Sequence, residues 1–111
     1  MKEFKSEADL KKVANEIADS ITIRSYDERG NSTDATRPTT PEERTIIFRA
    51  CYAALLGYNW AYMARNSIAA AQAVITSAEF MIGFMLPTCN AFSTAGAMLT
   101  RFIEQWEEEK A

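Results

Sequence analysis

The sequence predicts an all-α fold, a small bundle of four helices in one domain over residues 1–111, and three observations favour it. Apolar residues recur at helical spacing near the N-terminus, and a helix-start signal stands at residues 40–43. Residues 46–103 form a long apolar block whose charged side chains are Arg49, Arg65, Glu79 and Arg101. The block is therefore expected to form the core, with the charged ends of the chain as solvated surface.

The first element, within residues 1–21, is predicted to be an amphipathic helix. Its apolar residues are spaced three and four apart: Leu10, Val13, Ala14, Ile17, Ala18 and Ile21. Ser6 can cap the start, because its hydroxyl can accept a hydrogen bond from a backbone N–H of the first turn. This helix should pack on the core through its apolar face.

Residues 22–40 interrupt the helical pattern and are predicted to form a long polar loop. The segment is rich in turn formers, including Asp27, Gly30 and Asn31. A connection of this length is longer than most loops in compact domains, so it is expected to be mobile or functional. A short hairpin around residues 27–30 is the alternative.

Residues 41–111 are predicted to hold three mainly apolar helices. Thr40 suits the N-cap, Pro41 the first helical position, and Glu43 completes a capping box with Thr40. The second helix is expected to run over about 41–64 and the third over 67–85, with a break near 65–67 favoured over one continuous rod. Pro87 should end the third helix, and Thr88 or Asn90 should cap a last helix that runs to about residue 109.

Charge and composition exclude several classes of function. The net charge is -3 with a pI near 5.0, so duplex nucleic acid is not an expected partner. Histidine is absent, and no catalytic, phosphate-binding or metal-ligand spacing is present, so we expect no enzyme, metal or cofactor. Cys51 and Cys89 are interpreted as buried thiols, and a disulfide between helices is the alternative. The N-terminus lacks an apolar leader, so a cytoplasmic location is expected.

The apolar block predicts a homo-oligomer and a protein partner, because its helices are apolar on nearly every face. Small residues at spacing four allow close helix approach, and aromatic residues are typical interface anchors. The predicted interface residues are Tyr58, Trp60, Tyr62, Ala69, Ala73, Ala91 and Ala95. A compact monomer that hides all of these residues is the structural alternative. A membrane location is not expected, because the uncharged run over 80–100 contains Pro87 and Asn90.

Three functional hypotheses follow. The leading one is an oligomeric interaction protein, an adaptor, regulator or inhibitor, since short acidic chains without catalytic signatures are often accessory proteins, some from phages or mobile elements. The second is a small-molecule or anion binder with an inter-helix pocket. The predicted pocket residues are Arg49, Arg65, Glu79 and Tyr52, with the guanidinium groups holding an anion. The third is a membrane-associated helical protein.

Overall fold

The computed structural model describes residues 5–63, 67–86 and 90–110, and the side chains at 25, 26, 32, 34, 61–63, 67–70 and 110 lie outside that description. In chain order the elements are α1 (Glu7–Ser20), β1 (Thr22–Tyr26), β2 (Ser32–Pro38), α2 (Pro41–Met63), α3 (Ser67–Met85) and α4 (Ala91–Lys110). The predicted class, an all-α bundle of four helices, is confirmed, with one small two-stranded sheet added to it.

Helix α1 begins and packs as its sequence pattern predicts. The backbone N–H of Asp9 donates a hydrogen bond of 3.2 Å to Oγ of Ser6, which stands at the N-cap. The predicted apolar face is buried, from Leu10 to Ile21, against α2 and α4. The carboxylate of Asp19 accepts a 2.7 Å hydrogen bond from Nε of Arg44, which joins α1 to α2 on the outside.

The segment 22–40, predicted as a polar loop, instead forms an antiparallel hairpin in which Thr22 pairs with Pro38 and Ile23 with Arg37. The hairpin alternative identified the correct turn. Oδ1 of Asp27 accepts hydrogen bonds of 2.9 Å from the backbone N–H groups of Arg29 and Asn31. Gly30 adopts a φ of 81°, which glycine tolerates without strain.

The sequence favours a loop over the hairpin because Ile23 is the one large apolar residue that the described side chains of β1 contribute to the core, and a single residue gives no alternation. Its side chain is 1% exposed. The hairpin is fixed to the helices at a second point, where the backbone N–H of Arg24 donates a 2.7 Å hydrogen bond to Oδ1 of Asn90, just before α4.

The start of α2 confirms the predicted capping box. The backbone N–H of Thr40 donates to Oε1 of Glu43 at 2.9 Å, and the backbone N–H of Glu43 donates to Oγ1 of Thr40 at 3.2 Å. Arg37, at the end of the hairpin, adds two hydrogen bonds of 2.7 and 2.9 Å to the same carboxylate. These bonds, those from Arg37 above all, lower the pKa of Glu43 from 4.5 to about 2, although partial burial opposes the shift.

Helices α2 and α3 end and begin as predicted, at Met63 and Ser67, and the residues between them lie outside the described part of the chain. The two helices pack closely because small residues line their contact. A Cβ atom added to Gly57 would lie 3.4 Å from Cγ1 of Val74, an ordinary van der Waals distance, so the two helices are close at this point. Helix α4 then packs against α3, and the core is made by the inner faces of all four helices with Ile21 and Ile23.

We predict that Glu43→Gln lowers the free energy of unfolding at pH 7 by about 1–2 kcal/mol, because an amide can still accept from Thr40 but loses the charge that Arg37 binds. The pKa of Glu43 is lowered by folding, so its contribution is complete above pH 4.5 and disappears as the pH falls toward about 2. Urea unfolding at several pH values measures the difference between wild type and variant.

Glu42→Gln is the matched control, because Glu42 is exposed in the same helical turn and also carries one negative charge. It should change stability by less than about 0.5 kcal/mol. An equal loss in both variants would show that the charge at the helix start matters and the contact with Arg37 does not.

Candidate functional site

The most unusual surface of the molecule is a group of exposed apolar side chains on α3 and the start of α4. We call it the α3 apolar surface, and it consists of Phe80, Met81, Phe84, Met85 and Phe92. Phe80 is 74% exposed and Phe84 73%, although phenylalanine is usually buried. Trp60, on α2, is also exposed, at 71%.

Helical spacing explains how α3 produces this surface. Val74, Ala78 and Ile82 follow one another at intervals of four, so they share one face, and that face is buried in the core. Phe80 and Phe84 are also four apart and lie outside that buried face. Together with Phe92 of α4 they line an open hollow of about 620 Å³, and among the described residues of its lining Glu79 carries the charge.

The side chain of Glu79 on α3 occupies the space beside Gly96 of α4, which glycine leaves open because it has no side chain. A Cβ atom added to Gly96 of α4 would lie 2.6 Å from Cδ and 2.7 Å from Cγ of Glu79, closer than real contacts allow. Glu79 is half-buried, and it makes no hydrogen bond or ion pair with another described residue. Its aliphatic part therefore packs across Gly96.

The predicted anion pocket is not assembled by the described residues. Tyr52 lies toward α1, where its hydroxyl donates a 2.9 Å hydrogen bond to Oε1 of Glu7 and Nζ of Lys11 stands 5.9 Å from its ring centroid. Arg49 is exposed, and Glu79 faces α4. Arg65 lies outside the described residues. The described members of the set therefore do not form one pocket, because polar residues in one apolar block need not share a side of the bundle.

Three predicted interface residues are internal, which corrects that part of the prediction. Tyr58, Ala91 and Ala95 are each 0% exposed. Tyr58 packs on Trp106, with 5.9 Å between ring centroids, and its hydroxyl donates a hydrogen bond to Oε1 of Glu107. The two alanines let α4 approach its neighbours within the chain.

Two other interface candidates remain accessible, since both Trp60 and Ala73 are exposed. The side chains of Tyr62 and Ala69 lie outside the described residues. The spacing of these residues in the sequence did not indicate that Trp60 and Ala73 would be exposed while Tyr58, Ala91 and Ala95 would be buried.

Sequence reasoning missed a polar clamp at the N-terminal end of the chain. The side-chain amide of Asn59, 4% exposed, accepts from the backbone N–H of Lys5 at 2.9 Å and donates to the carbonyl of Lys5 at 3.0 Å. Nζ of Lys5 then reaches Oε2 of Glu109 at 2.7 Å and stands 5.4 Å from the Trp106 ring. An asparagine inside an apolar helix was the available signal, because a buried amide must find partners.

Cys51 behaves as the sequence indicates for a buried thiol. Its side chain is 0% exposed and forms no disulfide with a described residue. Burial raises the pKa of the Cys51 thiol from 9.0 to about 12, so the reactive thiolate is scarce at neutral pH. Cys89 lies outside the described residues.

Comparison with known proteins adds no relative: family models, curated proteins and solved structures each give no match to this chain. Among the helices of the described residues, none combines the length and apolar character needed to cross a membrane. Within the same residues, His, Cys, Asp and Glu side chains form no group of three or more that could hold a metal ion.

We predict that Gly96→Ala destabilises the protein by up to about 1 kcal/mol, because the added methyl group displaces the flexible end of the Glu79 side chain from Gly96. In a Glu79→Ala background the same change should stabilise it by about 0.5–1 kcal/mol, since alanine favours a helix interior over glycine. Thermal and urea unfolding of the four proteins in this double-mutant cycle measures the coupling.

Gly83→Ala is the control, because a Cβ atom there would meet Phe92 at an ordinary 3.8 Å. It should be neutral or stabilising in both backgrounds. If Gly96→Ala costs no more than Gly83→Ala in the wild-type chain, the close packing of Glu79 on Gly96 is wrong.

Proposed function

We propose that this chain is a small helical interaction protein, an adaptor, regulator or inhibitor in the cytoplasm, that self-associates through the α3 apolar surface. The observation that carries the proposal is the exposure of Phe80 and Phe84, at 74% and 73%. Burying one such side chain is worth about 1.5–3 kcal/mol, so a surface with several of them favours association.

A second copy of the chain suits this surface because residues 80–85 carry no charge. Like-charged surfaces repel when two copies meet face to face, whereas a neutral apolar surface is self-complementary. Symmetric dimers form through such surfaces, with each residue of one copy facing its counterpart or a near neighbour. Phe80 and Phe84, one turn apart, form a ridge that can pack beside the same ridge of a partner helix.

A shallow groove beside Met81 offers further support. Small residues of α2 and α3 line it, among them Ala53, Gly57 and Ser77, and Met81 belongs to the same lining. Small side chains leave room for the side chains of a neighbouring helix, and methionine adapts its shape to irregular surfaces. A partner helix can therefore pack beside the ridge of Phe80 and Phe84 and place its own side chains in this groove.

The alternative of an anion binder has less support. Of its expected residues that the structure describes, Tyr52 binds Glu7 of α1, whereas Glu79 packs on Gly96 of α4. A pocket that recognises an anion needs cationic groups that converge. The exposed apolar side chains, by contrast, already lie beside one another, so we favour protein binding.

We predict that Phe80→Glu with Phe84→Glu keeps the protein folded but raises the dissociation constant of self-association by about 100-fold or more. Two buried phenyl groups contribute about 3–6 kcal/mol, and each 1.4 kcal/mol is a factor of ten. Light scattering and sedimentation over a range of concentrations measure the change, and circular dichroism checks the fold.

The control variant places the same two charges elsewhere, with Thr36→Glu on β2 and Gln105→Glu on α4, both exposed positions. It should associate like the wild type. A wild-type protein that remains a 12.4 kDa species at every concentration would refute self-association. If the control variant self-associates as weakly as the Phe80→Glu, Phe84→Glu variant, the loss is due to the added net charge and not to the α3 apolar surface.

A further inference from the structure

A second groove lies along α3 and α4, toward the start of α3 and the end of α4. We call it the acidic groove, and its volume is about 530 Å³. It is lined by Ala71, Gln72, Ile75, Thr100, Ile103, Glu104, Glu107 and Glu108. None of these residues belongs to the α3 apolar surface, so the two are separate features of the molecule.

The floor of the acidic groove is apolar. Ile103 is 3% exposed, and Ala71 and Ile75 are half-buried beside it. The isoleucines belong to opposite walls, Ile75 to α3 and Ile103 to α4, so the floor runs between two helices. Such a channel accepts the apolar side chains of a third helix, which is a common way for proteins to bind helical segments.

The rim of the groove is negatively charged. Glu104, Glu107 and Glu108 are spaced three and four apart, which places them on one face of α4, and all three line the groove. They also stand in the last turns of α4, where the helix dipole is negative. The three carboxylates repel one another and are repelled by the negative end of the helix dipole. A cation at this rim is therefore attracted both by the carboxylates and by the dipole.

Internal partners compensate this charge only in part. The carboxylate of Glu107 accepts a hydrogen bond from Tyr58, and Glu109, outside the groove, pairs with Lys5. Glu104 and Glu108 form no ion pair or hydrogen bond with another described residue. The rim therefore presents negative charge to whatever lies in the groove.

We propose that the acidic groove binds a basic amphipathic helix of another protein. Leucine-like side chains of that helix occupy the floor over Ile75 and Ile103, while its lysines or arginines pair with Glu104 and Glu108. Nucleic acids and anionic membranes carry the charge that this rim repels. A small cation alone would leave the apolar floor uncovered. The inference goes beyond self-association and holds whether or not the α3 apolar surface pairs.

The probe is a fluorescein-labelled synthetic peptide of about 18 residues, made of leucine and lysine in amphipathic helical order. Fluorescence anisotropy measures its binding to the full chain. A peptide of the same composition in scrambled order removes the apolar face and keeps the charge. We expect the ordered peptide to bind at least about tenfold more tightly than the scrambled one, and to weaken as salt rises from about 20 to about 200 mM.

Two variants test the location of the site. Glu104→Gln with Glu108→Gln should weaken binding at least about tenfold, because it removes the unpaired carboxylates. Ala71→Arg, on the α3 wall opposite the glutamates, should also weaken peptide binding, because the long cationic side chain fills the groove. The matched control, Glu28→Gln with Glu42→Gln, removes two exposed carboxylates from the hairpin and α2 and should leave affinity within about twofold. Thermal unfolding confirms that each variant is folded.

Three results would overturn the proposal. Equal binding of the ordered and scrambled peptides would mean attraction to net charge without a groove. Unchanged affinity in both groove variants would place the peptide elsewhere on the molecule. No binding of the ordered peptide at low salt would exclude this partner class. The Phe80→Glu, Phe84→Glu protein separates the two proposals, because it should lose self-association and still bind the peptide.

Discussion

The constraint on which this structure depends is that α3 is apolar on more sides than the fold can cover. Val74, Ala78 and Ile82 fill the inner face, where α2 and α4 enclose them. No element of the described chain packs over Phe80 and Phe84, which remain about three-quarters exposed. The hydrophobic effect acts on these side chains as strongly as on the core. It therefore favours association at the outer face for the same reason that it favours folding at the inner one.

Small residues set how closely neighbouring helices approach one another. Gly57 lets α2 approach Val74 of α3, and Gly96 lets Glu79 cross α4. Because interiors are packed densely, helices that meet through small residues leave no room between them for large rings. Ala91 and Ala95, which suggested a contact between copies, serve contacts within one copy, because both side chains are completely buried. Ala73, by contrast, remains exposed. Phe80 and Phe84 are left at the surface.

Interactions between residues close in the sequence, such as helix caps, could be predicted from the sequence. Contacts between residues far apart in the sequence could not. Ser6 and the Thr40–Glu43 pair act within a few residues, so their caps and the helix bounds followed from spacing alone. The hairpin depends on pairing across a turn, and the Asn59 clamp joins residues 54 positions apart in the chain. The sequence also did not predict that the phenylalanines would be exposed, because a helix with apolar residues on nearly every face has no single stripe that tells the inner face from the outer.

The α3 apolar surface and the acidic groove both result from the uneven distribution of charged residues between α3 and α4. The C-terminal half of α3 has no charge after Glu79, whereas α4 ends in a run of glutamates. Ala71 and Phe84 are separated by thirteen positions, which is about 20 Å along a helix axis. Both surfaces can therefore be occupied at once. A symmetric dimer formed through the α3 apolar surface would carry two acidic grooves, and a partner with two basic helices would bind it with higher avidity than either groove provides alone.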